Sequence, residues 1–252
     1  MRFDVITLFP DLFGPHLAHG ITRRAFESGQ VDVRLWPLRE FATDAYRRVD
    51  DRPFGGGPGM VMLAEPLLAA LAAVRQDRQG PGSAVPVVHF TPTGTVLTQA
   101  LVRELAAGDG AILLCGRYEG IDQRVVDAEV TLEISLGDFV LSGGELPALA
   151  LLDAVARLQP GVLTEASHRQ DSFSDGLLEG PQFSRPERLA GDDAGRAVPT
   201  VLLSGHHGDI ARWRRDRSLE LTARRRPELI EAARAAGKLS AADERFLRSL
   251  DI

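Results

Sequence analysis

Apolar positions in the first 160 residues alternate between two periods. Short runs with strand-like spacing are Phe3–Phe9, Val31–Leu35, Val85–Phe90, Ala111–Leu114 and Val130–Ile134. Helical spacing is found in Leu67–Val74, Thr98–Leu105, Ile121–Ala128 and Leu146–Leu158. Strands that alternate with helices predict an α/β fold, with a mostly parallel sheet covered on both faces.

The pattern changes after Gln159-Pro160-Gly161. Residues 161–186 are rich in Gly, Ser, Asp and Pro and have no clear period, so we expect a linker or an active-site loop there. Residues 187–252 predict a small, charged, helical C-terminal domain. Its buried face is expected to come from Ile210, Trp213, Leu219, Leu229, Ile230 and Ala233.

Composition and length restrict the class of protein. The 252 residues are 44% hydrophobic, and no apolar run reaches the roughly 18 residues of a membrane span. The start of the chain lacks the features of a signal peptide, and Cys115 is the single cysteine. We therefore expect a cytoplasmic protein without internal disulfides or membrane segments.

The charge is unevenly distributed. The net charge of -6 argues against a general polycation, yet Arg212–Arg226 holds seven arginines against Asp216 and Glu220. Guanidinium groups suit phosphate, so this segment can bind nucleic acid. A solvated helix face is the alternative interpretation.

Several familiar catalytic signatures are absent, including a phosphate-binding loop, a nucleophile turn and a strand-linked G-x-G-x-x-G. His206 and His207 are adjacent, so their side chains diverge and a metal pair is not expected. Three glycine-rich segments remain: residues 52–60, 115–122 and 135–147. The second and third follow predicted strands, and ligands of open α/β sheets bind beyond the carboxyl ends of strands. With no lysine nearby, their peptide groups suit a flat, neutral adenine better than a triphosphate.

The glycine-rich segments are part of a longer series of motifs. The series is Ile6-Thr7-Leu8-Phe9-Pro10, Pro53-Phe54-Gly55-Gly56-Gly57-Pro58-Gly59-Met60, Cys115-Gly116-Arg117-Tyr118-Glu119-Gly120-Ile121-Asp122, Gly137-Asp138-Phe139-Val140-Leu141-Ser142-Gly143-Gly144-Glu145-Leu146-Pro147, Asp171-Ser172-Phe173, Arg185-Pro186-Glu187 and Leu202-Leu203-Ser204-Gly205-His206-His207, with Trp213-Arg214. In this order, and over nearly the whole chain, they resemble bacterial tRNA (guanine-N1)-methyltransferases, the TrmD type of the SPOUT superfamily.

The resemblance implies a fold, a reaction and an assembly. The first domain is expected to contain a deep trefoil knot, an exception to the rule that chains are unknotted. S-adenosylmethionine is expected to bind in the knot, and the chain to form a homodimer with active sites at the interface. The expected product is 1-methylguanosine at tRNA position 37, where nucleotide 36 is also guanosine. Family members respond to Mg²⁺, although no clustered carboxylates mark a metal site in this sequence.

The resemblance also assigns roles to residues. Asp171 corresponds to the general base that removes the N1 proton, and Arg157 to the cation that stabilises charge on guanine O6. Cofactor-binding positions are Phe90, Thr91, Pro92, Gly94, Gly116, Tyr118, Glu119, Ser135, Leu136, Gly137, Phe139, Leu141, Gly143, Gly144 and Pro147. Expected tRNA contacts are Gly55, Gly56, Gly57, Arg185, His206, His207, Trp213, Arg214 and Arg215. The sequence departs from the family pattern at Phe54, His89, Thr91, Phe139 and Gln170.

Two other functions are compatible with parts of the sequence. A SPOUT enzyme that methylates a ribose 2′-oxygen would favour an arginine base and lack the Asp171-Ser172-Phe173 loop. A non-catalytic RNA-binding module would use the arginines for phosphates and would not bind S-adenosylmethionine.

Overall fold

A computed structural model describes residues 1–80, 84–164, 171–190 and 197–251. The chain divides into two units, Met1–Thr164 and Glu165–Ile252. The first ends close to residue 160, where the first domain is predicted to end. Gln170 and part of the predicted 161–186 loop lie outside the described residues.

Five parallel strands form the sheet of the first unit. In spatial order they are β2 (Asp32–Pro37), β1 (Arg2–Thr7), β6 (Gly110–Leu114), β5 (Val87–Val96) and β7 (Leu132–Ser135). This arrangement confirms the prediction of an α/β fold with a mostly parallel sheet.

Helices cover both faces of this sheet, as the alternation along the strands requires. In β1, Phe3 and Val5 belong to one apolar cluster, whereas Ile6 belongs to the cluster on the opposite face. The first cluster includes residues of α2 (Arg23–Glu27), α4 (Gln99–Ala107) and α6 (Glu145–Ala156). The second includes residues of α3 (Ala64–Asp77) and α5 (Gln123–Glu129). A short helix α1 (Gly14–Ala18) follows β1. Each fully buried Leu or Ile contributes about 1.5–3 kcal/mol to holding these layers together.

Local capping decides where two of these helices begin. Thr98 Oγ1 accepts the Leu101 N–H at 3.3 Å and caps α4, as expected. Asp122 accepts the Arg124 N–H at 3.0 Å, so α5 starts at Gln123 rather than at the predicted Ile121.

β5 is longer than predicted and contains an irregularity that shapes the site. The strand begins at Val87 and continues past Pro92 to Val96. Phe90 and Thr95 both pair with Ile134, so residues 91–94 leave the ladder. Because Pro92 lies in this bulge, its missing N–H costs no ladder hydrogen bond.

A two-stranded hairpin carries the first glycine-rich segment. β3 (Asp50–Asp51) pairs in antiparallel fashion with β4 (Val61–Met62), and residues 52–60 connect them.

The second unit is largely helical in its described part. It contains a 3₁₀ turn at Thr200–Leu203 and helices α7 (His207–Arg225), α8 (Pro227–Ala235) and α9 (Ala241–Arg248). A capping box between Ser240 and Asp243 begins α9. The buried core of the second unit is formed by Leu177, Leu219, Ile230 and Ala233. The prediction that Ile210, Trp213 and Leu229 are also buried is wrong, because these side chains are only half-buried.

Candidate functional site

A cavity of about 290 Å³ lies at the carboxyl ends of three neighbouring strands, β6, β5 and β7. Its walls are His89, Phe90, Thr91, Pro92, Gly116, Arg117, Tyr118, Glu119, Gly120, Ile134, Ser135, Leu136, Gly137, Phe139, Val140, Leu141, Ser142, Gly143, Gly144 and Pro147. All predicted cofactor-binding residues except Gly94 therefore surround one space. Their assignment to a cofactor stays a prediction.

Two glycines allow the backbones around this cavity to approach closely. A Cβ on Gly144 would lie 2.7 Å from the Cα of Cys115 and 3.1 Å from the amide nitrogen of Gly116. Gly144 N also donates to the Gly116 carbonyl at 2.9 Å, which joins the third glycine-rich segment to the second. A Cβ on Gly94 would lie 2.5 Å from backbone atoms of Glu133 and Ile134. Gly94 thus supports the bulge without lining the cavity.

A buried carboxylate organises the third glycine-rich segment. Glu145, at the start of α6, is completely buried. Its Oε1 accepts from Thr7 Oγ1 at 2.8 Å, and its Oε2 accepts from Arg117 Nε at 2.8 Å. Arg117 Nη1 donates to both the carbonyl and the hydroxyl of Ser142 at 3.2 Å, and its guanidinium lies 4.5 Å from the Phe9 ring centroid. One ion pair thus links the end of β1 with two glycine-rich segments.

The second glycine-rich segment is also joined to the first. Glu119 N donates to the Met60 carbonyl at 3.0 Å, and Met62 N donates to the Gly120 carbonyl at 2.9 Å. Tyr118 has a positive φ of 60°, which is uncommon for a residue with a side chain. Burial raises the pKa of Tyr118, and a hydrogen bond with Asp50 raises it further. Gly55, Gly56 and Gly57 remain exposed on this hairpin and do not line the cavity.

His89 is a buried titratable group in the cavity wall. It is 8% exposed, and its Nδ1 lies 3.3 Å from Glu133 Oε1. Burial lowers the pKa of His89, and the hydrogen bond with Glu133 opposes that shift. The neutral imidazole is therefore favoured in the cavity wall.

The two predicted catalytic residues belong to different units. Arg157 is half-buried at the C-terminal end of α6, where its N–H donates to the Asp153 carbonyl at 3.0 Å. Asp171 is half-buried in the second unit and lies in a tight loop, since Ser174 N donates to its carbonyl at 3.0 Å. Phe173 in the same loop has a positive φ of 70°. The catalytic roles stay predictions.

The chain that follows Asp171 is attached to α7. Leu178 N donates to Thr222 Oγ1 at 2.9 Å, and Ser218 Oγ donates to the Leu178 carbonyl at 2.5 Å. A second cavity of about 290 Å³ lies at this junction, with Asp171, Arg214 and Arg215 among its walls.

The arginines of α7 are more neutralised than their sequence suggests. Arg212 and Arg215 both pair with Asp243, at 2.8 and 3.3 Å. Further pairs are Arg215–Asp175, Arg217–Glu220, Arg224–Glu220 and Arg226–Glu228. Within the described parts of the chain, only Arg214 and Arg225 of the seven have no carboxylate partner. The excess of positive charge that is counted from the sequence therefore overstates the number of arginines that are available to bind phosphate.

The remaining predicted tRNA contacts lie in the second unit. His206 and His207 are exposed at the start of α7, and Arg185 is exposed. Trp213 is half-buried, and its ring lies 6.1 Å from that of Phe183. Sequence reasoning did not select Phe183, because it lies in a segment without a period. Arg117 and Glu145 lie inside recognised motifs, yet nothing in their spacing reveals that they pair.

The described residues contain neither a metal-binding cluster nor a membrane-spanning helix. Within residues 1–80, 84–164, 171–190 and 197–251, there is no group of three or more His, Cys, Asp or Glu side chains that could hold a metal ion. None of the helices in those ranges is both long and apolar enough to cross a bilayer.

Comparison with known proteins gives one consistent result. The family model described as tRNA (guanine-1)-methyltransferase TrmD matches residues 1–232. A protein of Leptothrix cholodnii named tRNA (guanine-N(1)-)-methyltransferase is 70% identical over 253 residues, which cover 100% of both chains. Relatives with the same name occur in Methylibium petroleiphilum, at 68% identity over 99% of this chain and 98% of the relative, and in Bordetella pertussis, at 57% over 99% and 98%.

Proposed function

Because the chain belongs to the tRNA (guanine-1)-methyltransferase family, we propose that it methylates N1 of guanosine 37 in tRNAs that also carry guanosine at position 36. The methyl donor of such an enzyme is S-adenosylmethionine. The observation that carries this proposal is the cavity in which three predicted cofactor segments meet at the carboxyl edge of a parallel sheet.

The lining of the cavity fits this donor. The absence of side chains at Gly116, Gly137 and Gly144 lets a flat adenine approach the backbone, and apolar side chains such as Leu136 and Leu141 can cover its faces. The Glu119 carboxylate in the same wall suits the cationic amino group of the donor's methionine part. Because Gly144 has no side chain, the third glycine-rich segment packs directly on the backbone of Cys115 and Gly116. When bound, S-adenosylmethionine supplies a methyl group on a sulfonium, which is a good leaving group.

The chain's own residues must turn guanine N1 into a nucleophile. In this proposal Asp171 accepts the N1 proton while negative charge develops on O6, and the Arg157 guanidinium stabilises that charge. A preorganised donor of this kind lowers the barrier by about 3 kcal/mol. A carboxylate, a weak base, suffices only with such stabilisation.

The family relationship also supports finer proposals about assembly. We propose that the cofactor segments form a deep trefoil knot, that two chains form a homodimer with shared active sites, and that the enzyme acts in the cytoplasm, where its tRNA is found. Light scattering of the purified protein tests the dimer. Titration with EDTA tests the proposed response of turnover to Mg²⁺.

The decisive experiment is transfer of labelled methyl from S-adenosylmethionine to tRNA transcripts. We expect 1-methylguanosine with guanosine at positions 36 and 37 and no transfer when nucleotide 37 is adenosine. A labelled ribose 2′-oxygen would support the ribose methyltransferase instead. Binding of tRNA without any transfer would support the non-catalytic module.

A further inference from the structure

Two cavities in the second unit share a wall. The Asp171 cavity, of about 290 Å³, is described above, and a neighbouring Phe183 cavity of about 330 Å³ contains Phe183 and Arg185. Pro181, Gln182 and Arg214 line both. Arg214 therefore lies between a space that contains the predicted base and a space that contains an aromatic ring.

Phe183 presents a fixed aromatic surface. Its side chain is 46% exposed, although it is large and apolar. The ring packs against Trp213 at a centroid distance of 6.1 Å and a tilt of 58°, which holds one side of Phe183 in place. Leu202 and Ile210 add apolar surface to the same cavity, which also contains Gln182, Ser184 and Glu187. An exposed ring supported in this way is suited to stacking with a nucleobase.

Arg214 is free to bind an anion in a region where most charges are already paired. Its side chain is exposed, and within the described residues no carboxylate pairs with it, in contrast to Arg215 on the same helix. The carboxylates around the Asp171 cavity are largely engaged: Asp175 accepts from Arg215 at 2.5 Å, and Glu179 accepts from Gln182 at 2.5 Å. A phosphate at Arg214 therefore meets a guanidinium that no carboxylate of the described residues already holds.

We propose that the two cavities bind consecutive nucleotides of a single-stranded RNA loop. The reacting guanine occupies the Asp171 cavity, the adjacent base stacks on Phe183, and Arg214 binds the phosphate that links them. Bases of RNA loops can be splayed apart in this way and stacked on aromatic side chains. The proposal rests on the proposed function only in naming the nucleotide that enters the Asp171 cavity.

The test uses the full-length protein and tRNA transcripts with 2-aminopurine at position 36 or 38, whose fluorescence falls on stacking. We expect the parent to quench one of the two probes. Phe183→Ala should remove the quenching and weaken tRNA binding about tenfold, whereas Phe183→Tyr should preserve both. Arg214→Ala should lower the salt slope of binding by roughly one, with S-adenosylmethionine affinity unchanged.

A matched control is Arg225→Ala, because Arg225 is exposed on the same helix, has no carboxylate partner in the described structure and lines neither cavity. It should leave quenching and tRNA affinity close to those of the parent. If Phe183→Ala keeps the quenching, or if Arg214→Ala behaves like Arg225→Ala, the two-nucleotide site is wrong. Quenching that depends on Phe183 in a protein that transfers no methyl group would refute the proposed function and retain this site.

Discussion

The pair between Arg117 and Glu145 allows a quantitative prediction. Arg117→Met removes the ion-pair partner of the completely buried Glu145 carboxylate and leaves the Thr7 hydroxyl as a hydrogen-bond donor to it. Methionine fills much of the space of the arginine stem, so the main change is the loss of the guanidinium. The variant therefore tests the ion pair more than the packing around it.

The expected loss of stability follows from the burial of the pair. Breaking a buried ion pair by removing one partner costs about 3–5 kcal/mol, because the remaining charge is uncompensated. Since the Arg117 side chain is 18% exposed, we expect the lower end, about 3 kcal/mol. For a chain of this size that corresponds to a fall in melting temperature of roughly 6–12 °C.

The second expected effect is weaker cofactor binding, because Arg117 also donates to Ser142 in the wall of the cavity. Calorimetry measures both quantities in the parent, in Arg117→Met and in Arg117→Met/Glu145→Gln. The double variant should regain part of the lost stability, since the amide of glutamine carries no charge. Arg124→Met, which breaks the exposed pair with Asp122, is the control and should leave the melting temperature unchanged.

If Arg117→Met melts like Arg124→Met, or if the double variant is no more stable than the single one, the buried pair does not organise the site.

Three further predictions concern the other parts of the site. Asp171→Asn should lower single-turnover methyl transfer by about 10²–10⁴-fold while tRNA and S-adenosylmethionine still bind, and near-normal turnover would exclude Asp171 as the base. Gly144→Ala should abolish cofactor binding in calorimetry, because the added Cβ meets the Cys115 backbone at 2.7 Å; unchanged affinity would remove the third segment from the site. Burial lowers the pKa of His89 in the folded protein, so the stability that the neutral side chain contributes should be lost as pH falls below about 6.5. Between about pH 7.5 and 5.5, the melting temperature of His89→Tyr should therefore fall less than that of the parent. Parallel curves for the two proteins would contradict this last expectation.

Local patterns were sufficient to predict most of the sheet. The alternation in β1 places Phe3 and Val5 on one face and Ile6 on the other, as the buried clusters confirm. The rule that ligands bind at the carboxyl ends of strands predicts a site at the edge where the cavity lies. Local patterns do not predict the bulge in β5, because Pro92 and Gly94 are equally typical of the end of a strand.

Pairings between distant residues mark the limit of sequence reasoning. Thr7 and Glu145 are 138 positions apart, and no local period relates them. Their hydrogen bond depends on the end of β1 meeting the start of α6, which only the assembled sheet provides. The resemblance identified both segments as motifs without indicating that one ion pair holds them together.

The arginines of α7 show why a count of charges in sequence does not predict a binding surface. The segment Arg212–Arg226 contains seven arginines and two acidic residues, which predicts a strongly positive helix. In the folded unit, Asp175, Glu228 and Asp243 come from outside that segment and neutralise part of the excess. Arg215 is held by two carboxylates, so a phosphate would have to compete with both for its guanidinium. Arg214, one position earlier, points to a different part of the helix surface and remains available. A residue's partners in the fold, more than its type, therefore decide whether it can bind RNA.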